Sequence, residues 1–187
     1  MCSSKVSMLL LYTLSIILIS HAPFAFSDEV NIEDLCNEVA SDGIGPTKDE
    51  CLKFLNSNPK YRSADFHDIS KFLMQNAIDK GLEDQKIFNV LAKNHTSSKA
   101  IKDCSNIHYP STISNFRNAL KDLDKNTDGA FDAATLARSG IENCDTMLYQ
   151  EKLDASANGI IKNMNKFMAF LSDMSTAAID LYSKDHP

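Results

Sequence analysis

The stretch DKNTDGAFDAAT, Asp124 to Thr135, carries oxygen donors at the spacing of a calcium loop. Counted as an EF-hand, Asp124, Asn126, Asp128 and Asp132 take positions one, three, five and nine, and Gly129 takes position six, where that loop turns sharply. Position twelve is Thr135. The loop needs a bidentate glutamate there, and a neutral hydroxyl supplies neither the second oxygen nor the charge. No second loop is present to pair with it, so coordination stays incomplete and no metal or other cofactor is expected. As a connector between helices the same residues have an ordinary reading. Gly129 tolerates a positive φ, and Asp128 or Asp132 can accept hydrogen bonds from the free amides of the next helix.

Catalytic patterns are absent elsewhere. His67, His95, His108 and His186 are scattered, without an H-E-x-x-H, a G-x-S-x-G or a glycine-rich phosphate loop. Gly43 and Gly45 are followed by Pro46, which suits a turn. The dispersed Asp and Glu residues read as solvated helix faces. The chain is not expected to be an enzyme.

The first 27 residues read as a secretory signal peptide, with Lys5 at the positive start, an apolar run from Val6 to Ile19, and Ala25-Phe26-Ser27 before cleavage at Asp28. Only fifteen residues separate Lys5 from His21, fewer than the roughly 18 that a membrane span needs. No later segment is apolar enough to cross a bilayer, so no membrane partner is expected for the mature form. Without Lys5, the 25 acidic side chains outnumber the basic ones by seven, and no basic run or aromatic stacking platform appears. Nucleic acid is thereby an unfavourable partner, and cationic partners are favoured. Four cysteines remain after the leader: Cys36, Cys51, Cys104 and Cys144. In an oxidising compartment they imply two disulfides, with three connectivities open. Asn94-His95-Thr96 is a glycosylation sequon in a polar connector, which makes Asn94 the expected glycan site.

The elements that must carry these residues are helical. Ile160, Met164, Phe167, Leu171, Met174, Ala178 and Leu181 recur in steps of four and three, with Ile161, Met168 and Tyr182 widening the face. Upstream, Ser63-Ala64-Asp65 starts a helix holding Phe66, Ile69, Phe72, Leu73, Ala77, Ile87, Phe88 and Leu91, interrupted at Gly81. A second helix starts near Ser98 and holds Ile101, Cys104, His108, Ile113, Phe116, Leu120 and Leu123. Its step from His108 to Ile113 is five, one residue too many, which beside Pro110 predicts a kink or a π-bulge. A third is expected from about Asp132 to Glu151, with Leu136, Ile141, Cys144 and Leu148 inside and Gly140 weakening it. No period-two strand pattern appears. The reading is all-α: an up-down-up-down four-helix bundle over 61–187, preceded by an N-terminal helical hairpin over 28–60.

Four pieces, in order, resemble the plant inhibitors of pectin methylesterase and invertase: paired cysteines in an N-terminal hairpin, SNPKYRSADFHDI, AIKDCSNIHYPSTISNFRNAL and TLARSGIENC. They span nearly all of 28–187, one inhibitor domain. The resemblance implies sequential disulfides, Cys36–Cys51 and Cys104–Cys144. The first would pin the hairpin and the second would tie two bundle helices, each closing a loop worth about 3–4 kcal/mol in the chain-entropy picture. It also implies a secreted protein of the apoplast or cell wall that inhibits a carbohydrate-active enzyme by covering its active-site cleft.

Three positions depart from the family pattern. The hairpin cysteines enclose fourteen residues, more than usual, and Lys48-Asp49-Glu50 replaces the aromatic before the second cysteine. Tyr109 lies five residues after Cys104, with His108 in the usual tyrosine slot. Where invertase inhibitors carry Pro-Lys-Phe, Gly129-Ala130-Phe131 stands here. Pectin methylesterase is therefore the expected partner, with acid invertase as the alternative target. Phe131 and Asp132, at the exposed end of the bundle, are the candidate partner-binding residues. Two other readings stay open: a secreted calcium-binding helical protein acting through Asp124–Thr135, and a bundle that serves another partner or carries a ligand in its core.

Overall fold

The computed structural model describes residues 32–41, 43, 45–151 and 153–186; the expected signal peptide, 1–27, lies outside them. Among the described residues there is no strand. A hairpin of α1 (Ile32–Ala40) and α2 (Lys48–Asn56) is followed by a short α3 (Pro59–Arg62). Then come α4 (Phe66–Asn94), α5 (Lys99–Asp103), a π-helical turn (Cys104–His108), α6 (Tyr109–Asp122), α7 (Thr127–Tyr149) and α8 (Ala155–Asp185). The expected all-α bundle with a leading hairpin is met. α4, the α5–α6 rod, α7 and α8 pack in sequence, and α8 closes the ring against α4.

Capping explains where these helices start. Asp65 accepts from the Asp68 amide at 2.8 Å and satisfies one of the four free donors of the first turn of α4. From there α4 runs 29 residues unbroken. Gly81, expected to interrupt it, is instead where α4 meets α6: a Cβ there would lie 2.8 Å from Ile113 Cγ1. At the opposite end of the bundle, Ser98 caps α5 and donates to Glu151, whose other oxygen accepts from the Ala100 amide at 2.8 Å. One carboxylate thus joins the start of α5 to the α7–α8 connector.

The five-residue step is absorbed by the π turn, in which the Tyr109 amide reaches back to the Cys104 carbonyl. One added residue in a helix of 3.6 residues per turn rotates the remainder of the rod by about 100°. Tyr109 is fully buried as a result, and His108 is left half-buried with Nε2 3.2 Å from Met147 Sδ.

The expected third helix begins earlier than Asp132, at Thr127, because Asn126 caps it by accepting from the Gly129 amide at 3.1 Å. Its inner face is made of Ala130, Ala133, Ala134, Ala137 and Gly140. A Cβ at Gly140 would sit 2.4 Å from Thr112 Oγ1 and 3.2 Å from the His108 carbonyl, so glycine here permits a close α6–α7 crossing rather than weakening the helix. Leu136, expected inside, is 56 % exposed, because the small-residue face is the one that allows that approach. Ile160 is likewise 43 % exposed, and Ile161 takes the core position at the start of α8.

The hairpin packs on α8. Leu35, Cys36, Val39, Cys51 and Leu55 are buried, with Cys36 bonded to Cys51 at a Cα–Cα distance of 5.5 Å. Thr47 and Glu50 form a capping box at the start of α2, and Glu50 and Glu38 reach Lys166 and Lys184 of α8 at 3.3 and 3.8 Å. Asn58 caps α3 and Pro59 fills its first position, so a helical turn lies across the expected division between residues 60 and 61. The second disulfide, Cys104–Cys144, joins the π turn to α7 with Cα atoms 5.2 Å apart.

The bundle interior also holds polar groups. Tyr109 donates to Asn165 Oδ1 at 2.6 Å, and Asn165 donates to Asp145 at 2.5 Å. Asp84 is fully buried beside Lys80, and its Oδ2 has no hydrogen-bond partner among the described residues. Burial raises the Asp84 carboxyl above its ordinary 3.8 despite the lysine. A carboxyl with a raised folded pKa holds its proton more tightly in the fold than in the unfolded chain. This group therefore adds stability as pH falls from the raised value toward 3.8, and that addition is lost as pH climbs back through it. Measured from neutral pH downward, the urea midpoint of the wild type should rise relative to that of Asp84→Asn across that window, because only the wild type takes up the proton. A difference between the two that stays constant with pH would refute the assignment.

Candidate functional site

The residues singled out for chemistry collect at one end of the bundle, where α4 begins, α6 passes into α7 and α8 ends. Asp124 of the α6–α7 connector lies 2.6 Å from His67 Nε2 and 3.1 Å from Lys71 Nζ, both on α4. The His67 ring packs on Tyr182 of α8 with centroids 4.8 Å apart, and Tyr182 packs in turn on His186 at 4.8 Å. The hydrogen bond from His67, followed by that from Lys71, holds the Asp124 carboxyl below its usual range. These contacts fasten the connector to both flanking helices.

The same geometry dismantles the calcium-loop arrangement. Asp124 is turned to α4, Asn126 caps its own helix, and Asp128 and Asp132 stand on the first two turns of α7. Gly129 has no positive φ; it is helical, and a Cβ there would meet Asn126 Nδ2 at 2.4 Å. Its role is to let the capping amide fold over the first turn, and the cap is Asn126 rather than Asp128 or Asp132. Among the described residues, the one group of His, Cys, Asp or Glu ligand atoms within 4.8 Å of one another is Asp65, His67 and Asp68. Its members already cap α4 and bind the connector.

Phe131 and Asp132 come next on α7 at this end. Phe131 is 39 % exposed and Asp132 is exposed, so both are accessible on a helix that a capped start and a fastened connector hold in place. Asn94, the sequon asparagine, is the last residue of α4 and is exposed, well away from this end. His95 beside it pairs with Asp154 at 3.4 Å. No helix among the described residues is long and apolar enough to cross a membrane.

A second feature was not singled out in the sequence. Phe54 of α2 meets Phe170 and Phe167 of α8 with ring centroids 5.1 and 6.1 Å away, and a cavity of about 390 Å³ opens above them. Phe167 and Phe170 stand three apart on α8, a spacing that puts them on one face. What they face is a helix more than a hundred positions away in the chain, which no local pattern reports.

The chain matches the family model described as plant invertase/pectin methylesterase inhibitor over residues 30–181. Among solved structures, a mutant form of a pectin methylesterase inhibitor from Arabidopsis is similar with a TM-score of 0.68 at 18 % identity, covering 81 % of this chain and 97 % of that one. A pectin methylesterase inhibitor from Arabidopsis thaliana is similar with a TM-score of 0.57 at 19 % identity, covering 77 % and 93 %. At such identities these two likenesses speak to the fold. No curated protein matches the chain at a significant level.

Proposed function

Since the chain belongs to the plant invertase/pectin methylesterase inhibitor family, whose members are inhibitors and not enzymes, we propose that it is a secreted inhibitor of a pectin methylesterase. It acts by obstruction. The end of the bundle that carries Phe131 and Asp132 covers the active-site cleft of the target and keeps out its polymeric substrate. The connector held by His67 and Lys71 and the closely packed start of α7 leave little to be ordered on binding, which limits the entropic cost of association. A formal charge of −6 for the whole chain speeds encounter with a basic target, an attraction that salt weakens.

The observation that carries the choice of target is Gly129-Ala130-Phe131 at the position of the invertase-directed Pro-Lys-Phe. Only the phenylalanine is retained, and Gly129-Ala130 are spent on the cap and inner face of α7. Purified pectin methylesterase and acid invertase, assayed side by side at acidic pH with the mature protein, should show inhibition of the first and not the second. Replacing Phe131 with alanine should weaken that inhibition by about tenfold or more, the scale of an aromatic hot spot. Inhibition of invertase alone, or an unchanged inhibition constant for Phe131→Ala, would count against this reading.

A further inference from the structure

We propose that Asn94 carries an N-linked glycan whose inner sugars lie back along α4 over Val90 and Ile87. The inference rests on the secretory reading and stands apart from the choice of target enzyme. Asn94-His95-Thr96 falls where α4 ends and the chain turns toward α5, and both Asn94 and Thr96 are exposed. Other groups hold this connector. The His95 amide donates to the Leu91 carbonyl at 2.8 Å and closes α4, while the His95 ring pairs with Asp154 at 3.4 Å. Lys102 donates to the Thr96 carbonyl at 2.6 Å, and Ser98 donates to Glu151. None of these bonds uses the Asn94 carboxamide or the Thr96 hydroxyl, so the fold gives up nothing when Asn94 is modified.

The face of α4 that leads up to Asn94 is the second observation. Val90 and Ile87 stand four and seven residues before it, on one side of the helix. They are 56 % and 37 % exposed, whereas Asp84, Phe88 and Leu91 on the inner side are buried. Helical side chains lean toward the N-terminus of their helix, so Asn94 leans over the turn that holds Val90. A glycan on its Nδ2 starts beside this apolar pair, and the C–H faces and N-acetyl methyl groups of its first sugars displace water there. In the transfer, Nδ2 forms a bond to C1 of the reducing N-acetylglucosamine of a lipid-diphosphate oligosaccharide. The bond from C1 to the diphosphate oxygen breaks, the lipid diphosphate leaves, and Nδ2 gives up one of its two protons. The rise of an α-helix places the sugar about 40 Å from His67, which leaves the Phe131 end open.

The test is expression of the full chain in plant cells beside Asn94→Gln and Thr96→Ala, with intact mass and peptide mapping of the secreted protein. Wild type should carry a hexose and N-acetylhexosamine mass on the peptide that holds Asn94, and both variants should lose it, Thr96→Ala with its asparagine intact. Thr96→Ala should melt about 2–4 °C below the glycosylated wild type, the shift expected from uncovering one or two apolar side chains in a domain of this size. Adding Ile87→Gln and Val90→Gln to both proteins should abolish that difference. Whatever inhibition the wild type shows, Thr96→Ala should show equally, and a change would contradict this placement of the sugar. Secreted wild type without sugar at Asn94 would overturn the proposal while secretion stands, and unmodified protein retained in the cell would overturn both. A sugar with no effect on the thermal midpoint, or an effect that survives the glutamine substitutions, would overturn the covering of Val90 and Ile87.

Discussion

Replacing both Cys104 and Cys144 with alanine is expected to lower the unfolding free energy by about 4 kcal/mol, from the separation of 40 residues that the bridge closes. The same chain-entropy relation gives about 3 kcal/mol for Cys36–Cys51, whose separation is 15. Small domains hold about 5–15 kcal/mol in total, so the first loss removes a large share of the stability. Its location adds to its weight. Cys104 opens the π turn, where backbone pairing leaves the α-helical pattern, and Cys144 lies on α7, the helix that presents Phe131. Urea denaturation of the two paired variants measures both costs, and peptide mapping of the native protein reads the pairing directly. A hairpin variant that loses as much as the bundle variant, or an unchanged midpoint without Cys104 and Cys144, would show that the loop-closure account is wrong.

Asn165→Leu is expected to cost about 2–3 kcal/mol, through lost hydrogen bonds, chiefly the one accepted from Tyr109, rather than through lost volume. The Tyr109 hydroxyl donates only to Asn165 among the described residues and is fully buried, so leucine leaves a donor with no acceptor and no water. Burial first, and then the carboxylates of Asp84 and Asp145, already hold the phenol far above its usual pKa, so ionisation offers no escape. Asp145, exposed at the surface, turns to solvent when Asn165 is gone. Adding Tyr109→Phe to Asn165→Leu should recover most of the loss, because two apolar partners of similar shape leave nothing unsatisfied. Failure of the second substitution to recover stability would mean that the cost lies in packing.

Local patterns carried much of this architecture. The a/d steps of α8 and the caps Asp65 and Ser98 are local features, and each helix satisfies its own backbone within a few residues. The five-residue step from His108 to Ile113 was legible for the same reason, since an added residue breaks periodicity wherever it occurs. Faces were harder to read. Leu136 and Ile160 are apolar and in register with a core stripe, yet they face solvent, because α7 and α8 turn their small or better-fitting neighbours inward. Periodicity says that a helix has an apolar face; it does not say which of two adjacent residues fits a given gap.

What the sequence by itself determined was the inventory: four cysteines within residues 28–187, amphipathic helices of given lengths, and no catalytic or complete metal motif. Tertiary structure alone decided how that inventory was used. Asp124 became a clasp for His67 and Lys71 instead of a calcium ligand, Gly81 and Gly140 became helix crossings instead of breaks, and three phenylalanines from α2 and α8 became one floor. The physical reason is range. Capping and helical hydrogen bonds act over three or four residues and are written in adjacent letters, whereas packing and ion pairing join side chains that only the closed bundle brings within a few ångströms.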